Sequence, residues 1–540
     1  MHKGSAAILS DASFPVSFVR PLFVGVSLAL ASAAGSAFAA EPPAELQKRL
    51  EGDAQTLKVG DRMIDPEPLR AFYRQRSHRL AWSGTVAESK GDRLIMDIQS
   101  IAVGEGLNPD NYAIPPTMSD VDRDVLLSDA LARFGHDLAT GRVAPTRQVG
   151  GMGPETRPRF DASRFLSDIS SGKDLGIVID ALPPPYAGYQ RLKAALETYR
   201  RLAATGDWTA IPDGPSIKTA EHEDERVPLV RRRLIQTGDL TPDRDKGKSL
   251  DKPLMEALKR FQVRHGIEPD GFVGKQTLAA MNVPAQDRMH QIQANLDRWR
   301  WMPRKLDPSH IAVNLPAAHL ELVREGRIEM EMRVVVGDLQ HQTPPMMTTL
   351  GSVVLNPTWT VPPNIATKEI LPKLRKDSHY LVANNMTILD AFADDSQKSQ
   401  GLGIDWSKHA RFPWRLRQRP GPDNALGQVK FNLSNSDDIY LHDTPKRQYF
   451  GRIFRALSHG CIRLERPVDL AKALVGGEMA DKVPDLIAAA DTRTLKLDKP
   501  LTVYLMYFTA WADEDGTVHF RDDLYGHDGR LKAALRRPAR

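Results

Sequence analysis

Apolar residues at Leu127, Ala130, Leu131, Phe134 and Leu138 follow the i, i+3, i+4 spacing of one helical face, and Gly141 is placed to end that helix. Leu192, Ala195, Leu196 and Tyr199 repeat the pattern. Residues 40 to about 208 therefore read as a helical scaffold without catalytic spacing. The charged, unpatterned stretch 220–226 reads as a linker. Beyond it, "VPLVRRRLIQTGDL" predicts a short helix stopping at Gly238. Leu254, Ala257, Leu258 and Phe261 share the face of a second helix that Gly266 ends; "PDG" makes a turn, and a third helix starts over Thr277 to Met281. A three-helix module of this size has too small a core to carry much chemistry.

After "LDRWRWMPR" the period changes to two. Ile328, Met330, Met332, Val334 and Val336 point one way, while Glu329, Glu331 and Arg333 point the other. Similar strands are predicted at 311–315, 351–355, 429–433, 438–443 and 501–508, so this part is mostly β with one helix. The stretch 364–427 does not fit strands. It carries Lys408, Arg411, Arg415, Arg417 and Arg419 and reads as an inserted flap. The expected fold class is α+β multidomain: a helical scaffold (40–215), a small three-helix module (216–285), a mostly β domain (290–510) with its insertion, and a C-terminal tail (511–540).

The N-terminus changes the setting. Lys3 and Arg20 are basic, an apolar run spans 22–31, and Ala37-Phe38-Ala39 offers a small-x-small cleavage site. Together they predict a secretory signal peptide over residues 1–39. The apolar run falls short of the roughly 20 residues a spanning helix needs. With 41% hydrophobic and 26% charged residues, the rest is of ordinary globular composition. A net charge of +5 suits an anionic envelope polymer, and export disfavours nucleic acid, although charge alone decides neither.

Export makes one residue conspicuous. Cys461 is the only cysteine, so it has no disulfide partner within the chain. In "DIYLHDT", Tyr440 and His442 share the strand face opposite Ile439 and Leu441. Cys461 follows in "SHGCIRLE", before a helix start at Pro467. A free thiol is mostly protonated at neutral pH, and an imidazole that accepts its proton makes it a nucleophile. His442 and His459 are both candidate bases. His442 is preferred because a separate strand can aim it without distorting the nucleophile's turn. Gly460 allows a tight turn in which the amides of Gly460 and Cys461 point into the site as an oxyanion hole. Arg463 offers a cation for a substrate carboxylate. Two bland readings stand beside this: an inert buried cysteine, and zinc held by His442, His459 and Cys461, which lacks a further ligand at suitable spacing.

Two motifs carry family resemblances. Phe261, Gln262, Gly266, Asp270, Gly271, Gly274 and Thr277 resemble the pattern of type 1 peptidoglycan-binding domains. His442 with Ser458-His459-Gly460-Cys461-Ile462-Arg463 resembles the signature of L,D-transpeptidases (YkuD-like), and "NPTWTVPPNI" adds the features of the large Gram-negative members. The resemblance implies a YkuD-like β sandwich with a capping lid over 364–427. It implies Cys461 as nucleophile, His442 as base, and the carbonyl of Asp443 as the third member. It implies that His459, Gly460 and Cys461 shape the oxyanion hole with the Tyr440 hydroxyl as a contributor, that Ser458 is among the substrate-binding residues, and that Trp359 lines the donor pocket. Arg463 stands where many members have Asn. The implied activity is acyl transfer from tetrapeptide stems of peptidoglycan in the periplasm, without a cofactor. The implied partners are peptidoglycan, other wall-synthesis enzymes, and carbapenems as covalent inhibitors. Trimming by hydrolysis, or wall binding without catalysis, are the alternatives.

Overall fold

The computed structural model describes residues 44–537, apart from 53–54, 83–86, 117–118, 207, 220–222, 246, 390 and 393–394. The signal peptide expected over 1–39 and part of the linker at 220–226 lie outside the described residues. Among the described residues, no helix is long and apolar enough to cross a membrane.

The architecture is α+β. In the N-terminal part, helices α1 (Ala87–Gly104), α2 (Asp120–Thr140) and α3 (Ala187–Ala204) form where the helical period runs. Ser119 caps α2 through its side chain, and Gly141 ends it at φ 79°, where any Cβ would meet the Trp301 indole. Leu127, Ala130, Leu131, Phe134 and Leu138 of α2 are all fully buried. The scaffold also contains a small hairpin, β1 (Leu57–Val59) and β2 (Arg62–Ile64), that the helical reading did not anticipate.

The three-helix module folds as α4 (Val227–Gln236), α5 (Lys252–Arg264) and α6 (Lys275–Asn282). Its motif residues prove to be its frame. Gln262, buried at 1% exposure, donates to Asp270 Oδ1 (2.7 Å) and to the Phe272 carbonyl (2.9 Å), and accepts from the Gly271 N–H (2.8 Å). One amide thus ties the "PDG" turn to the helix before it.

Helix α7 (Ala285–Arg300) leads into the β domain and packs on α3. Nine strands then form one sheet in the order β12-β5-β13-β11-β10-β6-β14-β3-β4, and a β4–β5 pairing closes it on itself. Their ranges are β3 His310–Asn314, β4 His319–Arg324, β5 Arg327–Gly337, β6 Met346–Leu355, β10 Val429–Leu433, β11 Leu441–His442, β12 Ala456–Ser458, β13 Ile462–Leu464 and β14 Arg493–Met506. The alternation seen at 328–336 is borne out: Val334 and Val336 are buried and Arg333 is exposed. Helix α8 (Pro467–Val475) starts at Pro467, as expected for proline in a first turn.

Two expectations fail. The insertion does contain strands: β8 (Met386–Leu389) and β9 (Arg415–Gln418) pair, and β9 also pairs with β7 (Trp359–Thr360) just before the insertion, in the order β7-β9-β8 over a core of Ile370, Leu371, Leu381 and Trp406. Each is at most four residues long, too short for alternation to register. The stretch after 510 is not a tail. It forms β15 (Ala510–Ala512), β16 (Val518–Phe520) and α9 (His527–Arg536). Asp528 of α9 is paired with Arg298 of α7 (2.5 Å) and accepts from Thr509 Oγ1 (2.6 Å), all three buried. The same hairpin seats the three-helix module: His265 stacks between Phe261 (3.9 Å) and Phe520 (5.6 Å), and Arg521 donates to the Arg264 carbonyl (3.0 Å).

Candidate active site

In the parallel β11–β13 ladder Leu441 faces Ile462 and His442 faces Arg463. One step back, the Ile462 N–H donates to the Tyr440 carbonyl (3.1 Å), which sets Tyr440 beside Cys461. Leu441 and Ile462 are fully buried in the sandwich core. Alternation then puts Tyr440, His442, Cys461 and Arg463 together on the opposite face. On the other side of β11, Lys430 of β10 pairs with His442, so two cations flank the imidazole across three strands.

The turn before Cys461 is held by hydroxyls. Thr343 Oγ1 donates to the Gly460 carbonyl (2.6 Å), and Ser458 Oγ donates to the Cys461 carbonyl (2.6 Å). Gly460 sits at φ 110°, and a Cβ there would lie 3.3 Å from Ile439 Cδ1. The expectation that the Gly460 and Cys461 amides both face the cleft is corrected in part. Ser458, at 1% exposure, takes the Gly460 N–H at 3.2 Å, since a buried hydroxyl needs its partners. Among the described residues the Cys461 N–H meets no acceptor, and it remains the amide available to a ligand.

The sulfur and the imidazole are both neutral at rest. Burial pushes the Cys461 thiol up, against hydrogen bonds from the Tyr440 backbone and hydroxyl and the charges of Lys430 and Arg463. Its proton is directed at the Asp438 carbonyl (3.6 Å), not at His442. His442 is 5% exposed; burial drives its pKa down to about 3, with Arg463 and Lys430 adding to the effect and the Asp443 carbonyl opposing it. Because that carbonyl can only accept, its 2.5 Å contact with His442 Nδ1 places the ring proton on Nδ1. Nε2 is then the basic atom. Asp443 is itself fixed, its carboxylate accepting from the Gln428 N–H (2.9 Å) and from Arg447 (2.9 Å).

His459 points elsewhere. Its Nε2 lies 2.7 Å from Glu369 Oε1 in the π-helical turn Ala366–Ile370 of the insertion, and its ring packs on His341 (4.7 Å). That nitrogen is engaged by a carboxylate, whereas His442 keeps Nε2 as its basic atom. Trp359, half-buried in β7, interacts with the Tyr440 side chain and pairs with Gln418 of β9 in the insertion. Among the described residues the buried Nε of Arg463 meets no hydrogen-bond partner, and its guanidinium is 6.0 Å from the Tyr449 ring.

Sequence reasoning missed Glu369, Lys430, Asp438 and Arg147. Lys430 was detectable as the polar position between Val429 and Phe431 in a strand. Arg147 was not: it reaches from the scaffold to Asp437 (2.8 Å to each oxygen), bracing the loop that carries Asp438 and Tyr440. The other two lie where the chain turns, Glu369 in a π-helical turn and Asp438 at φ 54°.

Residues 308–484 match the L,D-transpeptidase catalytic domain (YkuD). The chain carries an L,D-transpeptidase catalytic domain. Residues 67–196 match the scaffold domain, and 223–281 match a peptidoglycan binding domain. A Haemophilus influenzae protein named "Putative L,D-transpeptidase" is 38% identical over 227 residues, which is 42% of this chain and 45% of that relative. The matched stretch thus spans less than half of the relative. Among solved structures, an L,D-transpeptidase from Stackebrandtia nassauensis is 17% identical with a TM-score of 0.22, covering 54% of this chain and 96% of that one. Another, from Xylanimonas cellulosilytica, is 14% identical with a TM-score of 0.16, covering 54% and 99%. The transpeptidase match contains Trp359, Glu369, Tyr440, His442, Asp443, Ser458, His459, Gly460, Cys461 and Arg463, whereas α9 and the β15–β16 hairpin lie beyond it.

Proposed function

We propose that this protein cross-links peptidoglycan by cysteine acyl transfer from tetrapeptide stems. The observation that carries the proposal is the shared strand face of Cys461, Tyr440 and His442, with His442 Nδ1 bonded to the Asp443 carbonyl. Cys461 Sγ attacks the carbonyl between the third stem residue and the terminal D-Ala as its proton passes to His442 Nε2. The Cys461 N–H receives the developing oxyanion. The C–N bond breaks, His442 returns the proton to the leaving D-Ala amine, and a thioester remains on Cys461. An amine of a second stem attacks the thioester, and the thiol is regenerated with a 3→3 link. Since both groups start neutral, proton transfer accompanies attack, and no thiolate–imidazolium pair stands ready beforehand.

Around this centre, Arg463 is assigned to a donor carboxylate and Trp359 to the donor pocket wall. The insertion from about 364 to 427 is the lid that keeps water from the thioester. Residues 223–281 hold the sacculus, and the N-terminal segment directs the chain to the periplasm. A carbapenem acylates the same sulfur. The deciding experiment incubates purified protein with disaccharide tetrapeptides and separates the products by liquid chromatography and mass spectrometry. Dimers with 3→3 links, lost in Cys461→Ala, are expected. Trimmed monomers in place of dimers would make the protein a hydrolase instead.

A further inference from the structure

A cavity of about 500 Å³ opens between the scaffold and the C-terminal helix, and it shares no lining residue with the cleft. Leu196 of α3, Met289 of α7 and Leu535 of α9 form apolar wall. Its ionisable lining is basic: Arg142, Arg200, His290, Lys532 and Arg536 line it beside the neutral Asn108, Gln286 and Gln293, and no carboxylate does.

Some of these charges are already employed. Arg142 donates to the Leu535 and Arg537 carbonyls at the end of α9, and Arg200 pairs with Glu197 at the rim. Two are not. Lys532 makes no hydrogen bond or ion pair among the described residues, and Arg536 spends one N–H on His290 Nδ1 (3.1 Å), a neutral partner. Burial, then Arg536, lower the His290 pKa, with Asp287 opposing and Lys532 adding. That nearest carboxylate, Asp287, is 4.0 Å from the ring. Cations gathered around one partly enclosed volume repel one another, and an anion inside converts that cost into attraction.

We propose that this cavity binds a soluble amphiphilic anion: a phosphate or carboxylate head held by Lys532 and Arg536, on a short apolar body against Leu196, Met289 and Leu535. Its volume lies in the usual range for small-molecule sites, roughly 300–1,000 Å³. The site joins helices from both parts of the chain, so occupancy stiffens the scaffold against α7.

Octyl phosphate below its micellar concentration provides the probe, titrated calorimetrically into the full chain beside inorganic phosphate and octyl glucoside. A single saturable site is expected, at least tenfold tighter for octyl phosphate than for either other compound and weakened by salt. Lys532→Glu and Arg536→Gln should each cost at least tenfold in affinity, and Leu196→Trp should block the body. Circular dichroism and Tm establish that each variant folds. Absence of saturable octyl phosphate binding, equal affinity for inorganic phosphate, or undiminished binding in a folded Lys532→Glu/Arg536→Gln double variant overturns the proposal.

Discussion

Glu369 Oε1 lies 2.7 Å from His459 Nε2, so the insertion touches the turn two residues before Cys461. Both side chains are more than a third exposed, so their pairing contributes at most about 1 kcal/mol. That is little for folding but enough to shift a lid equilibrium about fivefold. Glu369→Ala should therefore leave Tm within a few degrees while raising the ratio of hydrolysed to cross-linked product several-fold. Product ratios by mass spectrometry test this; an unchanged ratio means the contact does not govern water access.

The resting state of the sulfur can be read from alkylation. Burial raises the Cys461 pKa above its ordinary 9.0, so the neutral thiol persists into the alkaline range. Iodoacetamide reactivity should climb steadily from pH 6 to 10 without a plateau near neutrality. Lys430→Ala removes a charge that favours the thiolate and should slow alkylation several-fold at pH 8. A plateau beginning near pH 5 would show a preformed thiolate–imidazolium pair.

His442→Ala should lower the rate of carbapenem acylation by about 10² to 10⁴, the usual worth of a general base. Alkylation at pH 10 should change far less, because hydroxide then supplies the thiolate. If acylation proceeds at the original rate, the base lies elsewhere.

The same imidazole makes the fold acid-sensitive. Its folded pKa of about 3 lies below the ordinary 6.5, so its neutral form stabilises the fold fully above pH 6.5, and this contribution is lost as pH falls toward 3. Between pH 7 and 4.5 the loss is up to about 2–3 kcal/mol, at about 1.4 kcal/mol per pH unit. Urea unfolding of the wild type and of His442→Asn at both pH values should show the variant losing less. Equal losses would mean His442 does not drive the change.

In the three-helix module, Gln262→Ala leaves the Gly271 N–H without its acceptor and frees the Asp270 turn. Losing a buried, multiply bonded amide costs about 1–3 kcal/mol. The expected result is a lower Tm for this module, with sacculus pull-down falling only in proportion to unfolding. Lost pull-down at unchanged Tm would make Gln262 a ligand contact.

Local physics made the long helices legible. A face such as Leu127-Ala130-Leu131-Phe134-Leu138 repeats within four residues, and its cap lies next to it in sequence. The strand face of Tyr440 and His442 was legible for the same reason, since alternation needs only neighbours. The strands of the insertion were not: Met386–Leu389 and Arg415–Gln418 owe their extended form to each other, 26 to 32 residues apart in the ladder. Residues 510–536 likewise became structure only against α7, through Arg298 and Asp528.

The sequence by itself determined which side chains are candidates for the chemistry, because a lone cysteine, a histidine on an alternating strand and a glycine at a turn are local facts. Only the tertiary structure decided their states. Burial made the thiol and imidazole neutral, a buried serine claimed the Gly460 amide, and a carboxylate of the insertion engaged His459. Charge and hydrogen-bond occupancy depend on what closes over a group, and here the closing partners lie from 2 to about 90 residues away.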